Sequence, residues 1–319
     1  MRVFIFILAV VLLFSAGFYF VYNKANFATV NPAANVFGEK SGVEIVNNWF
    51  PKKVSGWENK NSEDLYVSAK SALVVNFESG EVIFAKNADQ KIPAASTIKI
   101  VTALVALENA SLDDSFIVSE KAANIGENVM GLSSGETLTL EELLYGAMLV
   151  SGNDAAIAIA EGVSGGEENF TQLMNQEATR LGLENTKFIN ATGLDEDGRE
   201  QYSSAHDLLT IARYTWENHP EFRQIASTYE KYIEATANHK EYLLYNDTNL
   251  LTSYPGVRGI KPGFTWDALW CLVTYAENDG KKLLGVILGS EDRRGEMVLL
   301  LDYAFGKYGI TVEHPGLDL

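Results

Sequence analysis

Three short stretches hold residue types that can do chemistry together. Pro93-Ala94-Ala95-Ser96-Thr97-Ile98-Lys99-Ile100 places a hydroxyl three residues before an amine. Ser151-Gly152-Asn153 places a hydroxyl and an amide between two apolar runs. Lys261-Pro262-Gly263 places a second amine after a strand-like run. An unassisted serine is a poor nucleophile, but a neutral amine within hydrogen-bond reach can take its proton. A spacing of three brings Ser96 and Lys99 to one helical face. A helix N-terminus at Ser96 would add backbone N–H groups for a developing oxyanion. The chemistry these groups suit is acyl transfer through a serine ester. Ser-x-x-Lys alone recurs about once by chance in a chain of this length, so the surrounding elements carry the weight.

Pro93 stops whatever precedes it. Residues 96–108 are helix-compatible, with apolar Ile98, Val101, Leu104, Val105 and Leu107. Residues 71–77 and 81–85 read as strands joined at Glu78-Ser79-Gly80, and this hairpin runs into the Ser96 helix. Thr139-Leu140-Glu141-Glu142 has the form of a capping box that opens a helix through Leu149. The polar triplet ends that helix, and another starts at Asp154. Helices are expected over 167–181 and 204–216, with a loop over 185–198 between them. Strands return at 231–235, 243–244 and 257–260. A hairpin over 268–275 and 282–288 turns on Asn278-Asp279-Gly280. Residues 298–308 close as a helix. The order predicts an α+β fold: an antiparallel sheet completed by two distant segments, flanked by helices, with an all-helical insertion between them.

The 319 residues are 47% hydrophobic and 21% charged, which suits one large domain or two smaller ones. A net charge of −17 argues against a nucleic-acid partner, because phosphate binding needs clustered Lys and Arg. The single cysteine, Cys271, lies in an apolar run and reads as a small core residue. His206, His219, His239 and His314 are scattered, without a His-x-x-x-His pair. No metal and no cofactor are expected. Residues 3–22 carry no charge, and twenty helical residues span about 30 Å, a bilayer core. Residues 1–24 are therefore expected to be a transmembrane anchor or an uncleaved signal. A cleaved signal peptide is the competing reading, and either way the remainder is exported. A membrane-proximal linker is expected over 25–65, a catalytic domain over 66–310 and a tail over 311–319.

In order, Ser96-Thr97-Ile98-Lys99, Ser151-Gly152-Asn153 and Lys261-Pro262-Gly263 resemble the active-site set of penicillin-binding proteins and serine β-lactamases. The flanking text, including Asn190-Ala191-Thr192-Gly193-Leu194-Asp195 and Gly259-Ile260-Lys261-Pro262-Gly263-Phe264-Thr265, resembles the D-alanyl-D-alanine carboxypeptidases. The likeness runs from about Tyr66 to Gly309. It implies a β-lactamase/DD-peptidase-like fold with Ser96 as acylated nucleophile and Lys99 as its base. It implies that Ser151 relays a proton to the leaving amine and that Asn153 bonds the substrate amide. Lys261 would supply charge near the substrate carboxylate, and Gly263 would complete that motif. The backbone N–H groups of Ser96 and Phe264 would form the oxyanion hole. Arg293 would bind the carboxylate, with Arg294 as the neighbouring alternative. Two amines at one site, Lys99 and Lys261, disfavour each other's protonation.

The implied partners are peptidoglycan stem peptides ending in D-Ala-D-Ala, with β-lactams as covalent inhibitors. The implied location is the bacterial cell membrane, single-pass through the N-terminal helix, with the catalytic domain on the extracytoplasmic side. One departure stands out. The third motif normally has Thr where this chain has Pro262, which brings neither hydroxyl nor N–H. Thr265 and Arg293 are expected to take over the carboxylate contact. Alternative readings are a β-lactamase, a DD-endopeptidase using the same site, and a weakened protein that binds cell-wall peptides.

Overall fold

The chain enters its sheet as a hairpin, β1 (Ser71–Asn76) and β2 (Val82–Lys86). A 3-10 turn, Ala95–Ile98, then runs into α1 (Lys99–Asn109). The insertion follows with β3 (Ser115–Ile117), α2 (Glu120–Ala123), β4 (Thr137–Thr139), α3 (Leu140–Leu149), α4 (Asn153–Ser164) and α5 (Glu167–Arg180). Next come α6 (Ala205–Asn218), α7 (Pro220–Ser227), β5 (Glu230–Ile233), β6 (Tyr242–Tyr245) and α8 (Leu250–Ser253). The last elements are β7 (Val257–Thr265), β8 (Leu269–Asn278), β9 (Lys281–Ser290) and α9 (Arg293–Gly306). This computed structural model describes residues 65–248 and 250–315. The expected anchor, the expected linker up to residue 64 and tail residues 316–319 lie outside the described residues. Among the described residues no helix is long and apolar enough to cross a membrane.

The five-stranded sheet is antiparallel, in the order β2-β1-β9-β8-β7. The distant segments therefore meet where β1 pairs with β9. Side chains alternate between two cores, as strand geometry requires. Leu73, Val75, Leu284, Val286 and Val273 face the larger core beneath the insertion. Ala72, Val74, Leu283, Ile287 and Leu272 face a smaller core with Met297, Leu300 and Phe305 of α9. Because both faces are covered, the strands read as near-continuous apolar runs.

Helix α4 is the axis of the insertion. Ala155 to Ala160 are all buried, the signature of a helix packed on every side. Asp154 fixes its first turn. The buried carboxylate accepts N–H bonds from Met130 (2.8 Å), Gly131 (2.8 Å) and Leu132 (2.9 Å), and from Ala155 (2.8 Å). A negative charge is favoured there by the helix dipole. The capping box forms at Thr139 and Glu142 as the residue types predict.

Several elements differ from expectation. The insertion is not all-helical, because β3 and β4 pair within it as a two-stranded antiparallel sheet. Ser96 lies in a 3-10 turn, and the α-helix begins only at Lys99. β7 runs on to Thr265, so Lys261, Pro262 and Gly263 are strand residues. The proline is tolerated because β7 is the edge of the sheet. α9 starts at Arg293 rather than 298, because the Asp292 side chain accepts the Gly295 N–H at 2.9 Å and caps it. The fold also continues past 310: Val312 packs on the second core, and His314 Nε2 lies 3.1 Å from Asp302.

Replacing Asp154 by Ala leaves buried N–H groups without an acceptor. The expected loss is about 3 kcal/mol of unfolding free energy in a urea titration. A change near zero would contradict its role as the tie between loop and helix.

Candidate active site

Ser96 sits half-buried in the 3-10 turn, after Ala95 at φ +48. Ser151, in the link between α3 and α4, is buried at φ +59. Left-handed backbone at a non-glycine residue persists only where the surroundings impose it. Ser96 lies beside a buried amine.

That amine is Lys99, the first residue of α1, with no exposed surface. Its Nζ lies 2.9 Å from Ser96 Oγ, 2.8 Å from Asn153 Oδ1 and 2.6 Å from the Thr192 carbonyl. Asn153 Nδ2 donates to the Gly126 carbonyl at 3.1 Å, which turns the amide oxygen towards Lys99. A neutral amine has two N–H donors and one lone pair. Asn153 and Thr192 take the two donors, which leaves the lone pair for the Ser96 hydroxyl. Burial, and secondly the Lys261 charge, hold Lys99 well below the usual lysine range. Asp247, Asp154 and Glu127 pull more weakly the other way.

The Thr192 carbonyl is aimed by its own loop. Asn190 Oδ1 accepts from the N–H groups of Thr192 (3.2 Å) and Gly193 (2.8 Å). Thr102 of α1 donates to the Ala191 carbonyl at 2.7 Å. Gly193 has φ +88, and a Cβ there would stand 2.2 Å from the Ala95 carbonyl oxygen. A second glycine sets the other wall. A Cβ at Gly263 would fall 2.9 Å from Ser96 N, so β7 lies directly against the nucleophile's turn. This brings the backbone at Gly263 and Phe264 beside Ser96.

Lys261 is also fully buried. Its Nζ stands 3.6 Å from Asp247 Oδ1, and neither atom makes a hydrogen bond among the described residues. Burial pushes Lys261 down, Asp247 lifts it, and Arg293 lowers it. Arg293, at the start of α9, donates from Nη1 to the Gly263 carbonyl at 3.1 Å. Its guanidinium lies 4.5 Å from the Trp270 ring centroid. Arg294 is exposed, so Arg293 is the arginine that reaches β7.

Two expected substrate contacts are engaged elsewhere. Thr265 Oγ1 donates to Asp195 at 3.1 Å and accepts the Ala268 N–H at 3.1 Å, which ties down the β7–β8 turn. In this structure its hydroxyl is held by those two bonds. Asn153 is buried and gives both ends of its amide to Lys99 and Gly126, so in this structure it orients the base. Three participants had no reading from the sequence: the carbonyls of Thr192 and Gly126, and the Asp247 carboxylate. The only signal for Asp247 is its place in a polar run, Asn246-Asp247-Thr248-Asn249, just after β6.

A hydroxyl, a buried amine with its charge suppressed and two further cations define a serine acyl-transfer site on an α+β scaffold. A family model described as D-alanyl-D-alanine carboxypeptidase (Peptidase S11) matches residues 58–292. D-alanyl-D-alanine carboxypeptidase DacF of Bacillus subtilis is 35% identical over 266 residues, covering 81% of this chain and 67% of that protein. DacB2 of Mycobacterium tuberculosis is 35% identical over 216 residues, covering 68% of this chain and 73% of that one. The crystal structure of the Streptomyces K15 DD-transpeptidase superposes with a TM-score of 0.71 at 29% identity, covering 77% of this chain and all (100%) of that one. The chain belongs to the D-alanyl-D-alanine carboxypeptidase family.

The charges around Lys99 set its titration. Acylation of Ser96 by a labelled penicillin is expected to rise with pH as Lys99 loses its proton. Removing the Lys261 charge with Lys261→Ala moves that limb up. Removing the Asp247 charge with Asp247→Asn moves it down. Limbs that stay put in both variants would contradict the electrostatic account.

Proposed function

We propose that this chain is a serine D-alanyl-D-alanine carboxypeptidase that removes the terminal D-alanine of peptidoglycan stem peptides. One observation carries the reading: Lys99 Nζ lies 2.9 Å from Ser96 Oγ while carbonyl groups hold its other two valences. Ser96 Oγ attacks the penultimate D-alanine carbonyl as Lys99 takes the hydroxyl proton. The N–H groups of Ser96 and Phe264 receive the developing oxyanion. Ser151 passes a proton to the leaving nitrogen, the C–N bond breaks, and D-alanine departs. Water then attacks the Ser96 ester and restores the hydroxyl. Lys261 and Arg293 hold the terminal carboxylate, with Gly263 letting the strand approach. β-lactams acylate the same oxygen. Residues 1–24 anchor the protein in the bacterial membrane, with the domain from about residue 66 on the extracytoplasmic side and the linker between.

Pro262 favours a second reading, an enzyme of weakened affinity that chiefly binds cell-wall peptides. A hydroxyl bonded to a carboxylate contributes about tenfold in affinity or more.

Two measurements separate these readings. Wild-type chain is expected to release D-alanine from a diacetyl-Lys-D-Ala-D-Ala peptide, and Ser96→Ala is expected to abolish release. Penicillin labelling of wild type without D-alanine release would favour the second reading. Pro262→Thr is expected to raise the penicillin acylation rate about tenfold. An unchanged rate would show that the missing hydroxyl does not limit the site.

A further inference from the structure

Lys261 and Asp247 leave a donor and an acceptor open beside the reacting centre. Lys261 Nζ and Asp247 Oδ1 are both buried, stand 3.6 Å apart and make no hydrogen bond among the described residues. Burying a polar atom without a partner is costly, so such a pair marks a place where a ligand completes the bonding. The lysine side chain has no exposed surface, whereas the aspartate side chain is 35% exposed. Asp247 therefore forms the solvent side of the pair.

Both residues are held in place. The Asp247 N–H donates to the Leu149 carbonyl at 3.0 Å, at the end of α3 and two residues before Ser151. The preceding Asn246 is buried. Its Nδ2 donates to the Thr228 carbonyl at 2.9 Å, and its Oδ1 accepts the Thr248 N–H at 2.9 Å. Lys261 and Gly263 are two apart on β7, so they share the face that meets Ser96.

Charge decides what fits between them. Lys261 and Arg293 are the cations that draw a terminal carboxylate, and the Asp247 charge acts on both. A carboxylate bonds the Lys261 ammonium, but it sets like charges together at Asp247 and leaves Oδ1 without a donor. Pro262 supplies no hydroxyl to offset that cost. A carboxamide serves both atoms: its oxygen accepts from Lys261, and its NH2 donates to Asp247.

We propose that Asp247 sets the leaving-group specificity of this site, which takes peptides ending in a D-alanine carboxamide as well as those ending in the free acid. The inference deepens the carboxypeptidase reading and rests on it. The bond between the two D-alanines still breaks, and D-alaninamide leaves with the proton that Ser151 passes to its nitrogen. Asp247 touches only the end group and leaves the reaction itself to Ser96 and Lys99.

The test compares kcat/KM of the full chain on diacetyl-Lys-D-Ala-D-Ala and on its C-terminal amide, with released D-alanine or D-alaninamide measured. Both peptides need Lys99 alike, so the acid-to-amide ratio is free of its titration. Wild type is expected to show a ratio below about tenfold. Asp247→Asn is expected to raise the ratio about fivefold, and Asp247→Glu to keep it near wild type. The ratio is read at several pH values, because a Lys261 that loses its proton lowers it only on the alkaline side. Penicillin labelling checks that each variant keeps a working nucleophile. A wild-type ratio of about tenfold or more, or a ratio that Asp247→Asn leaves unchanged, would overturn the inference and leave the carboxypeptidase reading standing. Cleavage of neither peptide by wild type would overturn that reading, and the inference with it.

Discussion

Lys99 is an amine with no exposed surface, and much of the structure around the site follows from that. Burying a charged ammonium is costly, so the group favours its neutral form. A neutral amine still needs its N–H groups satisfied. Thr192 and Asn153 do this at 2.6 and 2.8 Å, and each is fixed by something behind it. Asn190 shapes the loop that carries the Thr192 carbonyl, and the Gly126 carbonyl sets the flip of Asn153. Asp154 holds the chain just beyond Gly126 against α4. The network spans the insertion, yet it serves one atom. Its product is a lone pair beside a serine hydroxyl, available without a histidine.

The second constraint is the closeness of β7 to the 3-10 turn. Gly263 has no side chain because Ser96 N occupies the place where one would go. A strand brought that near carries Lys261 on the face of the reacting groups and Arg293's anchor on the backbone. Lys261 does two jobs by the same physics. Its charge depresses the basicity of Lys99, and it attracts a carboxylate. Asp247 favours the charged form of Lys261, while its own charge opposes the effect on Lys99. The edge position also explains why Pro262 is compatible with the fold, since an edge strand needs no N–H on its outer side.

Features written in neighbouring residues were legible in the sequence. The three-residue spacing of Ser96 and Lys99, the capping box at Thr139, and the turn at Asn278-Asp279-Gly280 are local, and the structure forms each of them. The end of β7 was hidden because Pro262 and Gly263 break a strand pattern that only an edge tolerates. The start of α9 was hidden because Arg293-Arg294-Gly295-Glu296 has no apolar period, and a cap rather than a hydrophobic stripe begins the helix. The remaining contacts are tertiary. Thr265 meets Asp195 across 70 positions of sequence, and Asn153 meets Lys99 across 54. Nothing in residue type tells whether such a side chain faces a substrate or another side chain. Backbone carbonyls, like that of Thr192, carry no residue signal at all.

The central claim is that Lys99 is neutral where it meets Ser96. The direct measurement is the charge state of its amine, read by NMR of the full chain labelled at lysine ε-carbons, with the Lys99 signal assigned by its loss in Lys99→Arg. The expected result is a titration well below the ordinary lysine range, because burial and the Lys261 charge disfavour the ammonium. An ammonium shift that titrates in the ordinary lysine range would contradict the account.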